Sequence, residues 1–101
     1  MKFRALPAFA VDFSRLPAPH RRMFIERMPA FSAGCDRWVT EGPHPWPGNL
    51  RVHRLANSRI WLMTWHDLRP DRRATFSFVE VNGHTLVEWR RVGGHDIYDD
   101  D

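Results

Sequence analysis

The residues best suited to chemistry lie in the last third of the chain. The runs Arg72-Arg73-Ala74-Thr75-Phe76-Ser77-Phe78 and Val87-Glu88-Trp89-Arg90-Arg91-Val92-Gly93-Gly94-His95-Asp96-Ile97-Tyr98 are strand-like, and both carry arginines. Alternation predicts Ala74, Phe76 and Phe78 on one face and Arg73, Thr75 and Ser77 on the other. The first face suits a core; the second offers a cation beside two hydroxyls. The glycine pair lets the backbone turn, so that His95 and Tyr98 are re-aimed at the rim of a sheet. Metal-free RNA cleavage needs a base for the 2′-hydroxyl proton, an acid for the 5′ leaving oxygen and cations for the charge building on phosphorus. His95 titrates near neutrality and suits either proton role. Tyr98 suits hydrogen bonding or stacking on a base. Arg73, with Arg90 or Arg91, suits a bidentate grip on phosphate. Neighbours on a strand point to opposite faces, so only one of Arg90 and Arg91 joins that surface. The plain structural alternative is a C-terminal turn in which Asp96 simply pairs with His95.

Other chemistries find little support. His20, His44, His53, His66, His84 and His95 are scattered without zinc-ligand spacing, and Cys35 is the single cysteine, so no metal site is expected. No Gly-rich phosphate loop, nucleophile elbow or dinucleotide fingerprint occurs, so no cofactor is expected.

Four of the twelve acidic residues sit at the extreme C-terminus, Asp96 and Asp99 to Asp101. Without them the body is clearly basic, which suits an anionic partner such as nucleic acid. Fourteen of the fifteen Lys+Arg residues are Arg, which a base-composition bias in the source would also produce. A lone cysteine forms no intrachain disulfide, no apolar run approaches the ~20 residues of a membrane span, and the N-terminus lacks a signal-peptide stretch. The expectation is a single cytoplasmic domain over residues 1–101.

The elements that must position these residues are short. Residues 2–6 read as a first strand. Phe9, Phe13 and Leu16 recur at helical spacing and predict a helix over 8–16, closed by Pro17. Pro19 suits the first turn of a second helix, whose apolar stripe is Phe24, Met28, Phe31, Cys35 and Trp38, with a kink or lost hydrogen bond expected at Pro29. A rigid proline-rich loop over 40–48 leads into four strands near 49–55, 59–66, 74–81 and 85–92. Their links have hairpin lengths, and Asn82-Gly83 is the strongest turn signal. Trp61, Met63 and Trp65 are expected to face the helices, with Leu62, Thr64 and His66 opposite; Trp46 has no role assigned by pattern. The sum is an α+β fold: two N-terminal helices packed on a sheet of four or five mainly antiparallel strands.

The order of elements, a helical hairpin and then a meander, resembles the RelE/ParE superfamily of toxins from bacterial toxin–antitoxin pairs. The runs carrying the likeness are Asn49-Leu50-Arg51-Val52-His53-Arg54-Leu55, Ile60-Trp61-Leu62-Met63-Thr64-Trp65, Arg73-Ala74-Thr75-Phe76 and Trp89 to Tyr98. The last is similar to a RelE-like closing element, Trp-Arg-Arg-aliphatic-Gly-x-His-Asp-aliphatic-aromatic. The resemblance implies a ribosome-dependent endoribonuclease, an mRNA interferase that inhibits translation, with a cognate antitoxin covering its active surface. It implies catalytic roles for Arg73, His95 and Tyr98, and RNA or phosphate binding by Arg51, His53, Arg54, Arg90 and Arg91. One departure stands out. Better-known RelE-type enzymes carry lysines or a glutamate on the strand before the arginine, where this chain has Leu62 and Thr64; His53 or His66 would have to compensate. The other readings are a ParE-like toxin that binds DNA gyrase and a non-catalytic RNA-binding relic.

Overall fold

A computed structural model describes residues 1–47, 50–66 and 72–94. The elements run β1 (Lys2–Ala5), α1 (Pro7–Ser14), α2 (Ala18–Glu41), β2 (Arg51–Arg54), β3 (Trp61–His66), β4 (Arg72–Val81) and β5 (His84–Gly93). Two helices pack against one five-stranded sheet, the expected α+β arrangement. The sheet is mixed, ordered β1-β5-β4-β3-β2. The last four strands form the expected antiparallel meander, and β1 adds to its far side parallel to β5.

Local chemistry sets the boundaries. Pro7 opens α1 and Pro19 lies in the first turn of α2, where the missing N–H costs nothing. Pro29 stays inside α2, which continues to Glu41. It forfeits the bond its N–H would give the Ile25 carbonyl, but both residues are exposed, so water replaces the donor. Asn82 and Gly83 both adopt positive φ, +52° and +81°, the pair a two-residue type I′ hairpin requires.

One hydrophobic cluster lies between the helices and the sheet, with Phe9, Phe24, Phe31 and Cys35 meeting Met63, Trp65, Phe76, Val87 and Trp89. The α2 stripe supplies its centre, and Met63 and Trp65 face it as alternation predicts. Trp46 receives its role here: it leaves the proline-rich loop to stack on Phe31 and on Trp38. Gly34 is its seat, because a Cβ there would fall 2.5 Å from Trp46 Cε3. His44 pins the same loop to α2, with Nε2 2.9 Å from the Gly34 carbonyl and Nδ1 2.6 Å from the Pro45 carbonyl.

Candidate nucleic-acid interface

The face of the sheet turned away from the helices carries the candidate site. Register decides what meets there. Arg51 of β2 lies opposite Thr64 of β3, and Thr64 lies opposite Arg73 of β4. One rung along, His53 lies opposite Leu62, and Leu62 opposite Thr75. Residues opposite one another across an antiparallel pair share a face, so Arg51, His53, Leu62, Thr64 and Arg73 converge. They line a cleft of about 270 Å³. Arg51 and Arg73 stand two strand spacings apart, roughly 10 Å at the backbone. Arginine side chains reach across that distance, so both guanidinium groups can take one phosphate over the floor made by Thr64. No carboxylate is among the described lining residues.

His53 stands directly across from Leu62, one of the two positions where the RelE-like pattern has charged residues. His53 thus comes from the neighbouring strand, and Leu62 and Thr64 are buried beside it. Of the two compensating histidines considered from sequence, His53 is in the cleft; the side chain of His66 lies outside the described ones.

The polar face differs from the sequence expectation in one respect. Arg73 lines the cleft, but Thr75 and Ser77 are buried, 0% and 6% exposed, and present no hydroxyls to a ligand. Short side chains in the middle of a central strand lie below the longer ones around them. The Thr75 hydroxyl instead accepts the Arg91 backbone N–H at 3.1 Å.

A bulge interrupts the strand alternation at Arg90 and Arg91. Thr75 opposes Arg91 while the next residue, Phe76, opposes Trp89, so Arg90 is the extra residue on β5. Arg91 turns to α1 and gives Asp12 two bonds, Nε to Oδ2 at 2.6 Å and a terminal nitrogen to Oδ1 at 3.1 Å. The Val92 N–H adds a third at 3.2 Å. Burial pushes the Asp12 carboxyl up, but these hydrogen bonds and the charges of Arg91 and Arg15 outweigh it and hold the pKa below the ordinary 3.8. Arg91 is therefore an anchor for the bulge, in a second cleft with Arg15 and Arg72, not a partner of Arg73. Arg90 approaches Glu88 at 4.0 Å, and Glu88 also takes Arg4 at 2.7 Å. Sequence reading missed Asp12, because no local pattern ties a residue on the first helix to one 79 positions later.

Arg54 projects with Val52 to the other side of β2, opposite Trp61 and away from Arg51 and His53. His95 and Tyr98, expected from sequence to be catalytic, lie outside the described residues; the chain is described as far as Gly94, one residue beyond Gly93, which opposes Arg73. Among the described residues, no group of three His, Cys, Asp or Glu side chains is placed to hold a metal ion. Among them, too, no helix is long and apolar enough to cross a membrane. Comparison with protein-family models, with curated proteins and with solved structures returns no match to this chain.

Proposed function

We propose that this chain is a RelE-like endoribonuclease toxin that cleaves mRNA without a metal ion. The observation that carries the reading is the joining of Arg51, Arg73 and His53 in one cleft on the face of the sheet turned away from the helices. Arg51 and Arg73 hold the non-bridging oxygens of the scissile phosphate and offset the charge that grows on them. His53 takes the proton of the attacking 2′-hydroxyl. The 2′-oxygen then bonds to phosphorus, the 5′-oxygen leaves, and it receives a proton from an acid; the products are a 2′,3′-cyclic phosphate and a 5′-hydroxyl. His95 is the proposed acid, and Tyr98 stacks on or orients the nucleotide. Both follow from the order of residues after the glycine pair. The reading extends to a cytoplasmic toxin working at the ribosome, restrained by an antitoxin that covers the cationic face.

The test is induction of the chain followed by mapping of transcript ends. Growth arrest is expected, with cleaved messages carrying 5′-hydroxyl ends. Arg73→Ala should slow cleavage by about 10²–10³-fold, as for loss of one charge-stabilising donor. His53→Ala and His95→Ala should each slow it by about 10²–10⁴-fold, as for loss of a general acid or base. Arrest that persists in all three variants, with DNA breaks accumulating and messages intact, would replace this proposal with a gyrase-directed toxin.

A further inference from the structure

A third cleft opens on the helix side of β2 and is larger than the Arg51–Arg73 cleft, about 590 Å³. It is lined by Trp38 from α2, Pro43, His44 and Trp46 from the loop, Val52, His53 and Arg54 from β2, and Trp61 from β3. That volume falls in the ~300–1,000 Å³ range of small-molecule sites. Its three indoles form a corner. Trp38 and Trp46 are nearly parallel, 14° apart at 6.0 Å, while Trp61 stands at 80° to Trp38 with centroids 4.9 Å apart. The lining thus presents three indoles to an incoming flat ring, with which aromatic side chains pair in offset-stacked or edge-to-face geometry. The His44 ring lies with Nε2 2.9 Å from the Gly34 carbonyl and Nδ1 2.6 Å from the Pro45 carbonyl, against α2 and its loop.

We infer that this tryptophan corner is a nucleobase-stacking subsite for the nucleotide next to the phosphate held by Arg51 and Arg73. Two observations select a base over other aromatic or cationic ligands. The ionisable groups on its walls are Arg54, His44 and His53, with no carboxylate among the described lining residues. A quaternary ammonium ligand would meet those positive or protonatable groups, whereas a base carried on phosphate is drawn to them. The second observation is that His53 lines both clefts. β2 is the last strand of the sheet, only four residues long, with Arg51 and His53 directed to one side and Val52 and Arg54 to the other. A single strand of RNA crossing this short edge therefore meets cations on one side and indole faces on the other. That pairing is how sequence-tolerant single-strand sites are built.

The inference rests on the ribonuclease reading, and the experiment separates the two. The full chain, labelled with ¹⁵N, is titrated with adenosine 5′-monophosphate, with ribose 5-phosphate and with a short single-stranded RNA. The monophosphate should move the indole N–H signals of Trp38, Trp46 and Trp61, and ribose 5-phosphate should leave them in place. Trp38→Leu keeps an apolar contact without the π-face. It should weaken RNA binding by roughly 5- to 150-fold, the range for one stacked base, while the spectrum elsewhere stays unchanged. Indole signals that ignore the monophosphate while RNA is still bound and cut would overturn this inference and leave the nuclease standing. Indole signals that respond in a chain that never cuts RNA would support the subsite and remove the nuclease.

Discussion

Gly34→Ala is a sharp test of how the proline-rich loop is held. In an exposed helix interior this change stabilises by about 0.8–1 kcal/mol, because alanine is the better helix former. At residue 34 the new methyl would lie 2.5 Å from Trp46 Cε3, 2.7 Å from Cζ3 and 3.2 Å from Pro47 Cδ. The obstructing atoms belong to a rigid indole stacked on Phe31 and Trp38, not to the end of a flexible chain. Overpacking of this kind costs about 1–3 kcal/mol, and each aromatic contact loosened as Trp46 backs away costs about 0.5–1.5 kcal/mol more. Packing outweighs propensity, and the middle of these ranges leaves a net destabilisation of about 2 kcal/mol. For a domain of this size that lowers Tm by about 8–16 °C. Thermal and urea unfolding followed by circular dichroism measure it, and tryptophan fluorescence reports whether Trp46 has moved. In a Trp46→Leu background the two closest contacts are gone and only Pro47 Cδ, at 3.2 Å, remains, so the cost of Gly34→Ala should fall. A rise in Tm on Gly34→Ala in the otherwise unaltered protein would refute the seating of Trp46 on this glycine.

Asp12→Asn should destabilise the protein by about 1–3 kcal/mol at pH 7, since it weakens charge-assisted bonds to Arg91. The Asp12 pKa is depressed in the fold, so its contribution is fully present above the ordinary 3.8 and is lost as pH falls through the lower folded value. Unfolding curves of the two proteins should therefore converge in acid; a gap that stays constant would show that the charge of Asp12 is irrelevant. Burial, with the charge of Asp36, pushes the Cys35 thiol up to about 12, against an ordinary 9.0, which cuts its thiolate population roughly a thousandfold. A thiol reagent at pH 8 should leave Cys35 untouched in the native protein and react once denaturant is added. Arg73→Ala should weaken binding of unrelated single-stranded RNAs alike and reduce the salt slope by about 0.7–1, one phosphate contact. A sequence-dependent loss with an unchanged slope would move Arg73 from phosphate to base contact.

Local pattern determined a large part of this protein. The helical stripe from Phe24 to Trp38, the alternation of Met63 and Trp65, and the Asn82-Gly83 turn are properties of a few neighbouring residues, and each acts within its own element. Those periods already imply helices on one face of a meander. Which polar residues would share a cleft was a different kind of fact. Arg51, His53 and Arg73 lie on three strands, and only the register of two hairpins brings them together. A bulge makes Arg90 the extra residue of β5, and an aspartate on the first helix claims Arg91, a contact that no spacing along the chain encodes. Burial of Thr75 and Ser77 likewise depends on what surrounds a central strand rather than on their polarity. Periodicity is written in sequence because a strand or helix repeats every few residues; the meeting of distant side chains is decided by packing, which the chain acquires only when it closes on itself.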